Sequence, residues 1–369
     1  MTAGGSCNPI VRQGGRRAAI AVLFLCPRIG IRDRKPGWPT NPVSLKICMV
    51  GCGSFARQCH GPAQRKYCAS HPDAELAACC DADPDRSREY AGAFGFGRSY
   101  REIGAMLSAE RPDAVVMAVP PAASCGAAQP VLERGIPLLL EKPPGMTPGE
   151  LEQLIAAAGR GGRAQVAFNR RYMPVMLRAM EILEGAFPAG SVGRIDYEMT
   201  RHERWDPDFS TTAIHAIDAA LFLARSPFRS AAIRYRPRKR GPREAADVAV
   251  EAQCASGTRV LVDIRPVSAA NAESATVHAA GQSMVLRIPV SPQSGGDGCA
   301  EHWSAGALVS SFSDRGLGAV DRLGVSGETE AFLDAVRSGR PLSPGLEDCR
   351  QQVALMEAIR ARRTGQVEF

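Results

Sequence analysis

Two short stretches of this chain have the residue types and spacing for chemistry. In the first, Lys46-Ile-Cys-Met-Val-Gly-Cys-Gly-Ser-Phe-Ala56, Gly51 and Gly53 with Ala56 three places on spell G-x-G-x-x-A. That pattern suits a pyrophosphate. One glycine makes a tight turn, the second leaves no side chain between backbone and phosphate, and a small residue lets helix and strand pack closely. Ser54 and Phe55 lie inside the motif, where the phosphates meet the N-terminus of the helix. In the second stretch, Glu141-Lys142-Pro143 ends an apolar run. It places a lysine at the C-terminal end of a strand, where open α/β sheets take their ligands.

The residues after the first stretch make it a β-α-β unit. Ala74 to Cys80 is another short apolar run, and it ends in Asp81 with a helix signal at Pro84. A carboxylate there can accept both ribose hydroxyls of an adenosine and repels a 2′-phosphate, so Asp81 favours NAD over NADP. Gly51 to Asp81 exceeds the usual spacing of about 20, an excess placed in the polar His71-Pro72-Asp73 turn. The alternative for Asp81 is an ordinary helix-capping acid.

The elements that must hold these residues alternate in type from Leu45 to about Gly162, as a doubly wound parallel sheet requires. Ala114 to Val119 reads as a buried strand ended by Pro120-Pro121, with Pro120 a further candidate for cofactor contact. Ile136 to Leu140 leads into Glu141 and Lys142. Thr147-Pro148-Gly149-Glu150 reads as a capping box with proline at the first helical position. After Asn169 the pattern becomes a helix from about Met173 to Glu184, a strand from Ile195 to Thr200, and two-residue alternations joined by hairpin turns. The expected architecture is an α/β Rossmann domain over 45–168, then an α+β domain over 169–369 with a mostly antiparallel open sheet. The C-terminal helices, near Glu328 to Val336 and Pro344 to Arg362, are candidates to pack back on the first domain.

Composition narrows the function classes. Of the formal net charge of +7, residues 1–45 carry seven Arg/Lys against one Asp. The remainder is nearly neutral, against a nucleic-acid surface on the folded part. The one basic cluster, Arg234-Tyr-Arg-Pro-Arg-Lys-Arg-Gly-Pro-Arg243, reads as a solvated strand end and loop. Several of the twelve cysteines fall in buried runs, as at Cys48 and Cys79-Cys80, and read as reduced thiols. The cysteines and histidines from Cys48 to His71 match no paired zinc spacing, so no metal is expected. Residues 1–44 read as a disordered extension. Arg16-Arg17 before Ala18 to Leu25 resembles a twin-arginine export signal, but no small-residue cleavage site follows, and the apolar run is too short to span a membrane. A cytoplasmic protein is expected.

With Asn169-Arg-Arg-Tyr172 and Ala213-Ile-His-Ala-Ile-Asp218 added, the chain from about Lys46 to Phe369 resembles the Gfo/Idh/MocA family of oxidoreductases. The most specific part of the resemblance is the ordered set G-x-G-x-x-A, E-K-P and H-x-x-D. By position, the resemblance makes Lys142 and His215 the catalytic pair. The lysine would bond the reacting hydroxyl, and the histidine would act as general acid/base. Arg171, Tyr172, Arg204 and Trp205 would line the substrate pocket. Many relatives carry an aspartate four residues before the histidine, and here that position is Thr211, which cannot stabilise an imidazolium by charge. Asp218 could share a helix face with His215 or be structural.

The resemblance implies an NAD-dependent oxidoreductase acting on a secondary alcohol or ketone of a sugar or cyclic polyol, in a homo-oligomer formed through the second-domain sheet. A redox-assisted glycosidase holding NAD and a non-catalytic NAD-binding sensor are the alternatives. Retention of both Lys142 and His215 disfavours the sensor.

Overall fold

Apolar runs too short to be helices become the strands of two sheets. The structure, a computed structural model, describes residues 44–159, 163–188, 190–206, 208–291 and 296–369. The expected extension over 1–44 lies, apart from Ser44, outside the described residues.

The first sheet is built from β1 (Leu45–Val50), β2 (Ala74–Cys80), β3 (Arg98–Tyr100), β4 (Ala114–Met117), β5 (Leu138–Glu141) and β6 (Ala164–Ala167). Between them run α1 (Gly61–Ser70), α2 (Pro84–Phe94), α3 (Ile103–Glu110), α4 (Ser124–Leu132) and α5 (Pro148–Ala158). All pairings are parallel, in the order β3-β2-β1-β4-β5-β6. Val115, Val116, Leu138 and Leu139 are fully buried, as continuous apolar strands must be when helices cover both faces. The order reverses between β1 and β4, so a crevice opens there at the strands' C-terminal ends. Thr147 Oγ1 accepts from Glu150 N at 3.1 Å and Glu150 Oε2 accepts from Met146 N at 2.6 Å, fixing the start of α5.

The rest of the chain forms α6 (Pro174–Ala186), β7 (Val192–His202), α7 (Ser210–Ala224), β8 (Phe228–Arg240), β9 (Arg243–Cys254), β10 (Arg259–Ser268), β11 (Ala272–Ala279), β12 (Gln282–Ile288), β13 (Cys299–Ser304) and β14 (Ala307–Ser313). There follow α8 (Ala319–Arg322), α9 (Val325–Ser338), α10 (Arg350–Arg360) and β15 (Gly365–Glu368). The second sheet has the order β14-β13-β12-β11-β7-β10-β9-β8-β15, with β7 and β10 its parallel pair and the other pairs antiparallel. Ile195, Tyr197 and Met199 point from β7 into a core shared with α6 and α7, the period of two that makes a half-buried strand.

The basic cluster is strand end, as expected, with less loop than expected. Arg234 to Arg240 is strand, and the turn is confined to Gly241-Pro242. Four of the cluster's six cations are in ion pairs: Arg234 with Glu251, Arg238 with Asp247, Lys239 with Glu244 and Arg240 with Glu203. The last helices return to the first sheet. Phe332, Leu333 and Val336 of α9 enter the core around Met49 and Tyr67, and Val353 and Met356 of α10 join that around Leu151 and Leu154.

Candidate active site

The glycine turn is fixed by backbone sterics. Gly51 has φ +86°, and a Cβ there would lie 2.1 Å from Ala118 O, so only glycine fits. Gly53 differs: its missing Cβ would meet nothing within 4 Å. The turn is thus an open cradle above Gly53, with Ser54 exposed and Ala56 buried beneath. The helix that starts at Ser54 passes through a π-helical turn, Ala56–His60, before α1. Asp81 ties β2 to this turn. Its Oδ2 accepts from Cys52 N at 2.8 Å and its Oδ1 from Asp83 N at 3.0 Å, with Arg86 Nη1 at 3.5 Å. The cap of α2 is Asp83, which accepts from Asp85 N and Arg86 N. Asp81 is therefore not the capping acid. Pro120 is exposed just beyond β4, and Phe55 stands edge-on to His60, ring centres 5.4 Å apart. A dinucleotide fits this arrangement, with open space over a glycine cradle and a carboxylate at the neighbouring strand end.

Across the crevice, β5 delivers Glu141 and Lys142. Glu141 Oε1 lies 2.9 Å from Nε2 of the fully buried His60. Lys142 Nζ donates to Thr211 O at 3.3 Å, and so spans from the first sheet to the opening turn of α7. One turn along α7 stands His215, whose Nδ1 is buried without a hydrogen-bond partner among the described residues. Burial, followed by the like charges of Arg170, Lys142 and Arg201, holds the His215 pKa well below its ordinary 6.5. Burial also lowers Lys142; Glu141 opposes this, while Arg170, Arg204 and Arg201 add to it.

The other expected residues separate into two groups. Arg204 and Trp205 sit on the half-exposed segment before α7. Arg204 pairs with Asp206 and lies over the Phe209 ring, and Trp205 Nε1 donates to Glu203. Arg171, Tyr172 and Asp218, expected at the substrate, are bound up with one another's surroundings instead. Arg171 donates through Nε and Nη2 to Asp218, which also accepts from Gln352 Nε2 of α10 at 3.0 Å. Tyr172 Oη donates to Ser343 O at 2.6 Å and accepts from Gln165 Nε2 at 3.1 Å. Asp218 is thus engaged by Arg171 and Gln352, and among the described residues no carboxylate is hydrogen-bonded to His215.

Among the cations that act on the Lys142–His215 pair is Arg170, one position earlier than Arg171. It donates through Nε at 2.7 Å and Nη2 at 2.5 Å to Glu273 of β11. Arg201 Nη2 and Tyr197 Oη of β7 bind the same carboxylate. Against burial, the two guanidiniums hold Glu273 down at about 2. Glu273 and Arg201 were findable from parity, since each falls on its strand's inward positions, with Ala275 and Val277 or with Tyr197 and Met199. Two buried groups carried no sequence signal: His60, and Glu328 of α9. Both Glu328 carboxyl oxygens lack a partner among the described residues, and burial, then Glu141 and Asp218, push its pKa well up. Among the described residues no three His, Cys, Asp or Glu group as a metal site, and no helix is long and apolar enough to cross a membrane.

Residues 45–168 match the family model GFO_IDH_MocA, described as an oxidoreductase family with an NAD-binding Rossmann fold. Over 197 residues, 50% of this chain and 51% of the relative, the sequence is 31% identical to D-apiose dehydrogenase of Paraburkholderia graminis. Inositol 2-dehydrogenase of Streptomyces avermitilis is 27% identical over 79% of this chain and 85% of its own length. The chain spans about half or less of the first curated relatives it matches. In fold, it superposes on a levoglucosan dehydrogenase solved with NADH and L-sorbose with a TM-score of 0.73, at 18% identity, covering 88% of this chain and 99% of the other.

Proposed function

We propose that this chain, which belongs to the Gfo/Idh/MocA family of oxidoreductases, is an NAD-dependent dehydrogenase that interconverts a secondary alcohol and a ketone on a sugar or cyclic polyol. The observation that carries this reading is the Lys142 Nζ to Thr211 O bond. It sets an ammonium and, one helical turn on, an imidazole at the mouth of the crevice where a dinucleotide would end. Gly51, Cys52 and Gly53 would hold the pyrophosphate, with Ser54, Phe55, Ala56 and Pro120 around it, and Asp81 the adenosine ribose. When bound, NAD supplies the hydride acceptor or donor.

The remaining chemistry belongs to the chain. Lys142 donates a hydrogen bond to the reacting oxygen and stabilises negative charge as it develops there. His215, neutral at pH 7 because its pKa is depressed, takes the hydroxyl proton. Arg204, Trp205 and Thr211 contact substrate, whereas Arg171, Tyr172 and Asp218 brace α7 from behind. The free thiols at all ten described cysteines support a cytoplasmic protein. Exposed Val285, Trp303, Leu308 and Val309 on β12, β13 and β14 support a homo-oligomer formed through the second sheet.

The test is to incubate the pure protein and NAD with sugars, polyols and aryl glycosides, reading NADH and released aglycone in parallel. NADH without aglycone is expected. His215→Ala should lose about 10²–10⁴ in kcat while keeping its affinity for NAD. Aglycone released without net NADH would instead identify a redox-assisted glycosidase.

A further inference from the structure

The carbohydrates proposed above are neutral, and the surroundings of Lys142 are not. Lys142, Arg170 and Arg201 bring three cations to this crevice, and Glu141 and Glu273 two carboxylates. By this count one basic group has no carboxylate partner among the described residues. Arg204 adds a further cation, which Asp206 pairs at the surface. Lys142 itself bonds only a backbone carbonyl, and His215, neutral, offers no anion.

The donors left over agree with the charge. Arg170 uses Nε and Nη2 on Glu273, and Arg201 uses Nη2 on Glu273 and Nη1 on Thr200 O. Arg201 Nε has no hydrogen-bond partner among the described residues, and Arg170 has beside Glu273 only the Tyr197 hydroxyl. Both guanidiniums are nearly buried, with side-chain exposures of 6% and 7%, and Glu273 and Tyr197 fix their planes. A buried cation without a counter-ion is costly, and an anion that pairs it is favoured to the same degree. The planar guanidinium fork matches a carboxylate, and an excess of one charge matches a monoanion better than a phosphate dianion.

We infer that the substrate carries one carboxylate, as an aldonic or uronic acid does, and that Arg170 and Arg201, with Arg204 at the rim, form the site for it. This rests on the Lys142–His215 reading of the crevice. The protein thus acts on acidic sugars in preference to their neutral counterparts.

The experiment is calorimetric titration of the full chain, saturated with NADH, with D-glucose against D-glucuronate, D-xylose against D-xylonate, and glucose 6-phosphate. NADH production from the same compounds with NAD is measured in parallel. Carboxylates should bind at least about ten-fold tighter than their neutral partners, and only their affinity should fall as salt is raised. Arg201→Gln should remove most of that preference. Because Arg201 is buried, the exposed Arg204→Gln serves beside it, and it should narrow the preference several-fold with NADH affinity unchanged. Equal binding within the pairs, or tightest binding of the phosphate ester, would overturn the inference. Neutral sugars oxidised while carboxylates neither bind nor react would sink the acidic class and leave the dehydrogenase standing. Carboxylates bound with the stated preference, but no NADH from any compound, would uphold the anion site and sink the dehydrogenase.

Discussion

Replacing Thr211 by Asp would put a carboxylate one helical turn ahead of His215, an imidazole on which three cations now act. The imidazole has a buried Nδ1 without a partner among the described residues, and its pKa is held well below 6.5 by burial, Arg170, Lys142 and Arg201. Residues four apart on a helix have Cβ atoms about 5–6 Å apart. A unit charge about 6 Å away in an effective dielectric of about 20 is worth roughly 2.8 kcal/mol, or about 2 pKa units. Lys142 Nζ, 3.3 Å from Thr211 O, screens part of that field, so a rise of about 1–2 units is expected. The assay is kcat/KM against pH from about 5 to 9, with Thr211→Asn as the uncharged isostere. An acidic limb that moves upward in the aspartate variant and stays put in the asparagine variant is the expected result. If both variants keep the parent limb, the group titrating there is not His215.

The two glycines of the turn should fail differently. Gly51→Ala drives a Cβ into Ala118 O at a positive φ and should cost roughly 2–4 kcal/mol by urea unfolding. Gly53→Ala, with nothing within 4 Å, should leave stability almost unchanged and weaken NAD by about ten-fold or more. Glu328 has its folded pKa raised, so its stabilising contribution is complete below the unfolded value near 4.5 and is lost as pH rises. Glu328→Gln should therefore gain on the parent by up to roughly 1.4 kcal/mol per pH unit above that value, and a constant difference between pH 5 and 8 would refute the assignment.

The sequence was most legible where the backbone leaves one choice. The glycine turn, the buried runs at Ala114 to Met117 and Leu138 to Leu140, and the hairpins β9-β10 and β11-β12 all read directly, because burial on both faces or a tight turn restricts the residues allowed. The edges did not read. β3 is three residues long, β15 four, and β8 hides behind arginines whose stems lie on a sheet and whose charges find cross-strand partners. At the site, Arg170 and Arg171 sit in a single 3₁₀ turn, Asn169–Tyr172, too short to show which side faces the crevice. The resemblance pointed to Arg171, and the structure pairs that residue with Asp218. Glu273 and Arg201 needed strand parity carried one or two residues beyond the runs that read as strands. His60 needed Glu141, 81 residues away, and nothing local marks such a pair.

The depressed pKa of His215 has a consequence for how substrate and base work together. A neutral imidazole can accept a proton at pH 7, but the same cations that keep it neutral oppose the charge it acquires, so in the free protein it is a weak base. A substrate carboxylate seated on Arg170 and Arg201 offsets those cations and raises the His215 pKa toward neutrality, where a general base works best. The acidic limb of kcat/KM reports the free enzyme and that of kcat the substrate complex. With carboxylate substrates the limb of kcat should therefore lie above that of kcat/KM, by about one unit for a charge roughly 12 Å from the imidazole in an effective dielectric of about 20. With neutral substrates the two limbs should coincide. Coincident limbs for the carboxylates would mean that their charge does not reach the imidazole, and the anion would then contribute to binding alone.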